Sequence, residues 1–267
     1  MELKPRRGGA MRLALGVYAT LLCVFLMLPL VVVVPISFSS SSYLQFPPPG
    51  WSLRWYRAFV EDPVWMGAAW RSFQVGVSAT LLSTVLGTLL AFSLVRGRYP
   101  GKQLVAQIAA TPLILPTIIY SIAVYSLFAA LKLIGDWRGI VLAHTVHALP
   151  FVVIIVAAAL RTFDVSLEHA AMGLGASRLR AVWRVTLPQI RPAIVSAMFL
   201  AFISSFDELV IAMFLGGSNM TLPKKMFDNI INEIDPVIAA VSVLQIVLVS
   251  AILLVVARFG SGARPPD

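Results

Sequence analysis

Asp207 and Glu208 sit side by side in the apolar run SSFDELVIAMF, and no other carboxylates are so placed to do chemistry. If a membrane span starts at Ala193, Asp207 lies roughly 21 Å into it at the helical rise per residue. Ionisable groups at such depth face a bundle interior or a water-filled cavity. Two readings follow. The pair is either an acidic lining that lowers the barrier for a cationic solute, or a helix-end or subunit-interface pair neutralised by hydrogen bonds. Phe206, next to the acids, and Pro116, a breaker inside another apolar run, complete the candidate solute-pathway set.

The remaining reactive residue types point away from catalysis. His144 and His147 share a helix face at a three-residue step, but no H-E-x-x-H or carboxylate cluster accompanies them. Interhelical hydrogen bonding is the expectation there, with no metal held. Cys23 is the single cysteine and lies in an apolar run, so neither a disulfide framework nor a thiolate metal site is available. The segment GRYPGKQ at 97–103 lacks the four-residue gap and the hydroxyl of a phosphate-binding loop. Gly173 and Gly175 begin a G-x-G, but no third glycine follows and no strand precedes them. The chain is therefore expected to bind no cofactor, and any ATP-driven process would need a separate ATPase polypeptide.

The elements that hold these residues are membrane spans. The chain has 267 residues, of which 59% are hydrophobic and 12% charged, against about 25% charged in soluble domains. Mean hydropathy is +0.88. Six apolar runs, at 13–36, 72–95, 105–131, 139–160, 193–215 and 237–257, each approach the ~20 residues needed to cross a bilayer core. The first exceeds the roughly 7–15 residues of a secretory signal core, so an uncleaved anchor is expected. Pro112, Pro116 and Pro150 interrupt later runs. Such prolines either surround a pathway or kink the packing. Between the first two runs, Pro47–Pro49 force extended backbone, and Trp51, Trp55, Tyr56, Phe59 and Trp65 make an interfacial segment that contacts lipid headgroups. Near the end, Gly216, Gly217, Asn219 and Pro223 predict a turn. Met226, Ile230, Ile231 and Ile234 then predict an outer-face amphipathic helix.

Charge fixes an orientation. With both termini cytoplasmic, fourteen of the 21 Lys and Arg residues face the cytoplasm, among them Lys4, Arg6, Arg7 and Arg264. The other seven face outward, a distribution that obeys the positive-inside rule. The net charge of +9 is thus mostly an orientation signal and no nucleic-acid footprint.

The same assignment places a dense basic loop in the cytoplasm. Residues 168–194 read EHAAMGLGASRLRAVWRVTLPQIRPAI and carry Arg178, Arg180, Arg184 and Arg191. Ala170, Ala171, Leu174, Leu179, Val182 and Trp183 recur at helical steps. The pattern predicts a short helix, a glycine-permitted turn and a second amphipathic helix, closed by Pro188 and Pro192. A loop this structured is expected to dock another protein.

The loop resembles the membrane subunits of ABC importers, whose motif reads E-A-A, three residues, G, nine residues, I-x-L-P. Ala170, Ala171, Gly175, Val185, Leu187 and Pro188 fall at those offsets. The departure is at the first position, where His169 stands and the acid, Glu168, comes one residue earlier. The stretches SFDELVIAMFLGG, LPKKMFDNI and DPVIAAVS, with SLRWY upstream, resemble the permeases of the spermidine/putrescine family.

That resemblance implies an all-α polytopic membrane protein with six transmembrane helices, of the type I ABC importer permease fold. It implies one permease domain over 1–267, with the coupling loop at 161–192, in a bacterial inner membrane. The implied partners are a second permease subunit, a cytoplasmic ATPase dimer that carries ATP and Mg, and a periplasmic solute-binding protein. The implied ATPase-coupling residues are Glu168, His169, Ala170, Ala171, Gly173, Gly175, Trp183, Leu187 and Pro188. Two other classes compete. An ATP-independent secondary transporter or channel would show inverted repeats and paired broken helices, and no internal repeat is evident. A membrane enzyme would need a constellation of acids, histidines or nucleophiles, and none is present.

Overall fold

The structure, a computed structural model, describes residues 8–232 and 234–260. Lys4, Arg6, Arg7 and Arg264, which contribute to the charge count, lie outside them. The described residues form twelve α-helices and one π turn: α1 Gly8–Ser37, α2 Arg54–Glu61, α3 Pro63–Arg96, α4 Lys102–Ile114, α5 Thr117–Ala130 and α6 Trp137–Thr162. They continue with α7 Ser166–Gly173, α8 Arg178–Ala181, the π turn Val182–Thr186, α9 Leu187–Phe206, α10 Val210–Leu215, α11 Leu222–Asn232 and α12 Val237–Gly260. Five helical stretches are long and apolar enough to span a membrane, and a sixth is added if the bent pair α4–α5 counts as one span.

The chain divides into two compact units, 1–61 with 229–246 and 62–228 with 247–267. In the first, α1 exposes apolar side chains around its circumference, including Leu13, Tyr18, Phe25 and Val31. A helix apolar all round belongs in lipid or against another protein. The loop after it is ordered. Ser39 and Trp51 form an antiparallel bridge, and the Ser37 and Tyr56 hydroxyls share a 2.7 Å hydrogen bond.

The second unit holds the bundle. α3, α6 and α9 pack through Ala91, Ala148, Val152, Val156, Ala197 and Ala201, all buried. Lipid supplies no hydrophobic drive between helices, so close approach of small residues supplies the contact. At Gly87 the packing is tightest: a Cβ there would lie 2.8 Å from Cβ of Val152. Asp62 starts α3, its Oδ1 accepting from the Val64 amide at 2.7 Å, with Pro63 just inside the helix. Tyr120, Ile140, Ile211 and Leu215 bring α5, α6 and α10 into a second buried cluster.

Four sequence expectations change here. The run at 105–131 is two helices bent by 110°, with Pro116 at the start of the second, where a missing N–H costs no helical bond. The run at 193–215 is also broken. α9 ends at Phe206 and α10 starts at Val210, because the Glu208 side chain takes the Ile211 amide at 3.1 Å and competes with the helix for it. Pro188 and Pro192 do not close a helix. Residues Arg178–Phe206 run as one helical stretch, in which the π turn just before Pro188 widens the backbone where the proline ring would strike an α-helical carbonyl. Pro223 stands in the first turn of α11 rather than in the preceding turn, a position proline favours. α11 runs to Asn232 and includes Met226, Ile230 and Ile231, while Ile234 follows its end.

Replacing Gly87 with valine forces side-chain volume into the α3–α6 contact. Overpacking of this kind costs about 1–3 kcal/mol, so the detergent-solubilised variant should melt at lower temperature than the parent by calorimetry. An unchanged melt would show that the two helices are not in contact at this position.

Candidate functional site: the coupling loop and the acidic break

Glu168 is the centre of the loop. It lies one residue before the motif position, and that offset turns it by about 100° on the helix, into the protein. It is 4% exposed. Its Oε1 accepts from Arg96 Nη1 at 2.5 Å and from the Thr186 hydroxyl. Arg96 ends α3, and its guanidinium also lies over the rings of Phe92, at 5.1 Å, and Phe163, at 5.6 Å. One carboxylate thus ties the end of α3, the first turn of α7 and the π turn together. Burial pushes the Glu168 pKa up, but the Thr186 and Arg96 hydrogen bonds and the charges of Arg96 and Arg178 hold it below the ordinary carboxylate value. His169, at the motif's own first position, faces solvent.

The turn after α7 has a definite chemistry. Gly175 has φ +92°, in the left-handed region that glycine enters without strain. Its amide bonds to the Met172 carbonyl at 2.9 Å, and the Ala176 amide reaches the Ala171 carbonyl at 3.1 Å. These two bonds are the Schellman closure of a helix end. Ser177 then caps α8, its Oγ accepting from the Arg180 amide. The spacing of Ala171, Gly175 and Ser177 is therefore a stop, a reversal and a restart.

The restart leaves an apolar knob in the open. Leu174 is 92% exposed, Leu179 68% and Trp183 65%, with Arg178, Arg180 and Arg184 exposed around them. Ala170 and Gly173 are also exposed, Ala171 and Leu187 are half-buried, and Pro188 is exposed. The helical periodicity of 170–183 thus does not serve burial in this chain. Only Ala181 of that stretch packs inward completely, besides the base at Glu168.

The solute-pathway candidates do not gather at one spot. Asp207 caps the end of α9, is exposed, and its carboxylate makes no hydrogen bond or ion pair with the described residues. Glu208 is engaged on both oxygens, with Oε1 on Ile211 and Oε2 3.7 Å from His147 Nε2. Phe206 is buried, stacked on Phe202 with centroids 5.3 Å apart, and faces Gly76 of α3. It is a core residue, because the missing Cβ at Gly76 leaves room for the two rings. Pro116 stands exposed at the α4–α5 bend.

The sequence reading missed the grouping around Glu208. His147 lies beside Tyr120, ring centroids 6.0 Å apart, and the Tyr120 hydroxyl donates to the Ala143 carbonyl at 2.8 Å. His144, fully inside, shares a 2.8 Å hydrogen bond with the Ser205 hydroxyl. The three-residue histidine step was the available signal; the partners come from α5 and α9. Among the described residues, no group of three or more His, Cys, Asp or Glu side chains could hold a metal ion.

Helices long and apolar enough to span a membrane, with an exposed helix–turn–helix loop between two of them, describe a polytopic membrane protein. Residues 83–263 match the family described as binding-protein-dependent transport system inner membrane component, and the chain belongs to that family. It is 37% identical over 228 residues to the putrescine transport system permease protein PotI of Escherichia coli K12, covering 82% of this chain and 81% of that protein. It is 31% identical to the spermidine/putrescine transport system permease protein PotC of Haemophilus influenzae, covering 86% and 89%. Among solved structures, a chain of a bacterial ABC transporter involved in the import of the acidic polysaccharide alginate superposes with TM-score 0.75 at 18% identity, covering 97% of this chain and 99% of that one. The chain is a transport component rather than an enzyme, with its place in the inner membrane.

Glu168→Ala leaves the Arg96 guanidinium buried without its carboxylate, and breaking a buried pair from one side costs roughly 3–5 kcal/mol. Thermal or denaturant unfolding of the purified subunit should show that loss, and an undiminished midpoint would remove the clamp. The pH dependence has a definite sign. The folded pKa is depressed, so the clamp's contribution is complete above the unfolded value of about 4.3. It is lost as pH falls through the lower folded value. Glu168→Gln should flatten that acid limb of the stability curve.

Proposed function

We propose that this chain is the permease subunit of an ATP-driven ABC importer that admits a polyamine such as putrescine or spermidine. It forms half of the solute path with a second permease subunit and receives solute from a periplasmic binding protein. A cytoplasmic ATPase dimer, which holds ATP and Mg, drives it. One permease domain spans 1–267, with the coupling loop at 161–192, both termini in the cytoplasm and lipid around the spans. The observation that carries this reading is the exposed knob of Leu174, Leu179 and Trp183 on a base clamped to the bundle. A side chain as large as Trp183 left in water on a fixed support suits a protein cleft. The polyamine assignment is supported by the substrates for which the two permease relatives are named and by an acid available to a cation.

In mechanism, the ATPase grips α7, the Gly175 turn and α8 through Ala170, Ala171, Gly173, Leu174 and Trp183, with His169 at the rim. Glu168 does not touch the partner; it fixes the loop to α3. Leu187 and Pro188 continue the grip into α9, so closure of the ATPase displaces a two-state element that includes the span itself. At the far end of α9 the acid pair divides its tasks. Glu208 holds the break by capping Ile211 and facing His147, while Asp207 keeps its charge for a passing cation. Pro116 keeps the α4–α5 bend that opens space on the path.

Three measurements test this. Gly175→Pro removes both the left-handed turn and the amide that bonds Met172, and should abolish solute-stimulated ATP hydrolysis in the reconstituted complex while membrane insertion persists. Normal stimulation in Gly175→Pro would end the coupling role. Asp207→Asn should slow uptake of labelled putrescine or spermidine by about an order of magnitude or more, the loss of one charge-assisted contact. Uptake unchanged by that variant would return Asp207 to a structural part. The assembled complex with its cognate binding protein should take up polyamine in preference to an anionic solute such as sulfate, and the reverse preference would overturn the substrate.

A further inference from the structure

Between α4 and α6 lies a cavity of 540 Å³ that the transport reading does not use. Its wall is apolar and low, formed in part by Ala106, Ala109, Ala157 and Ala158, so two helices face each other without side chains long enough to fill the gap. At one end stand two cations, Lys102 and Arg161. Lys102 is the first residue of α4 and Arg161 is in the last turn of α6, so both stand at the same membrane edge of the crevice. That edge is the cytoplasmic one under the orientation proposed above. Neither cation is paired with a carboxylate among the described residues. The Lys102 ammonium donates to the Gly97 carbonyl at 3.1 Å, which leaves two of its three donors open.

An apolar crevice at membrane depth with an uncompensated positive rim has one complementary shape of ligand: an acyl chain ending in a negatively charged headgroup. We propose that this crevice holds an anionic phospholipid of the cytoplasmic leaflet, its chain along the alanine wall and its phosphate between Lys102 and Arg161. Basic pockets between membrane helices on the cytoplasmic side have this chemistry, and the long stems of Lys and Arg reach the headgroup layer from within the hydrocarbon edge. A soluble anion alone would have no use for the apolar wall. A neutral lipid would leave the two charges without a counter-ion. The site also has a consequence for coupling. Lys102 lines a second cavity with Arg96, Glu168, His169 and Arg178, so a lipid phosphate on Lys102 lies next to the clamp that carries the coupling loop.

The test uses the complete transporter with its partner subunits, purified and placed in nanodiscs of phosphatidylethanolamine mixed with phosphatidylglycerol. Bound lipid is then identified by native mass spectrometry. The parent complex should retain phosphatidylglycerol over phosphatidylethanolamine. Lys102→Gln and Arg161→Gln should each lower that retention about fivefold, the factor that matches about 1 kcal/mol per cation at the membrane surface. Ala158→Leu should lower retention of both lipids by filling the wall; if that variant fails to assemble, the two charge variants decide. Equal phosphatidylglycerol retention in parent and charge variants overturns the proposal. So does displacement of the lipid by inorganic phosphate, which marks a soluble-anion site. Cross-linking of Ala106→Cys to the second permease subunit instead of to a photoreactive lipid shows a protein helix in the crevice, and also overturns it. These outcomes are read from lipid retention, so they stand apart from success or failure of polyamine uptake.

Discussion

A single buried carboxylate joins three segments of this protein. Oε1 of Glu168 takes hydrogen bonds from Arg96 and Thr186, residues separated from it by 72 and 18 positions. Away from water, a carboxylate cannot exchange such partners cheaply, because each lost bond leaves a charge or donor desolvated. The tie therefore resists partial opening. Its geometry matters more than its net energy, since an apolar substitute could fill the same space but would not select one register among three segments. The stacking of the Arg96 guanidinium on Phe92 and Phe163 fixes the other end of the pair. The exposed knob on α7 and α8 is consequently carried on a base tied to α3 and continuous with α9.

The continuity of the stretch Arg178–Phe206 extends that base. Twenty-nine residues of helix reach about 43 Å, enough to join the exposed knob to the acidic break at the other end of the stretch. A helix of that length needs no interruption at Pro188, because the π turn absorbs the ring: the Leu187 amide bonds to the Val182 carbonyl, five residues back. An inserted residue of this sort changes the phase of the helix, and here it aims Thr186 at Glu168. The proline and the clamp are thus parts of one arrangement. Without the π turn, Thr186 would point elsewhere and the carboxylate would lose a donor.

Much of this was legible in the sequence, and the reasons for the failures are specific. The spans were legible because some twenty apolar residues admit one explanation at this composition. The reversal at Gly175 was legible because a glycine three residues past a helix-forming run is the sign of a left-handed closure. The role of Glu168 was not, since its displacement by one residue reads as a defect until Arg96 is seen to stand against it. Pro188 was misread as a stop because the rule for proline in helices does not see a widened turn. The exposure of Leu174, Leu179 and Trp183 was open as well. Periodicity predicts that an apolar face is covered, but not whether the cover belongs to the same chain. Phe206 seemed a lining residue by its position beside Asp207; Gly76, 130 residues earlier in the chain, makes it a core residue.

The two broken spans are best understood together. The bend between α4 and α5 and the gap between α9 and α10 each free backbone groups at a depth where water is scarce, and such breaks persist only where protein or a wet cavity serves them. α5 and α10 share one buried cluster, in which Tyr120 lies with Ile211 and Leu215, so the breaks support each other. Glu208 Oε1 accepts from the Ile211 amide and His147 faces the other oxygen, which accounts for that acid without any solute. A structural explanation for Asp207 does not follow in the same way. Its backbone closes α9, a task any residue with that φ could perform, and its carboxylate has no partner among the described residues. Of the two neighbouring acids, Glu208 is used by the fold and Asp207 is not.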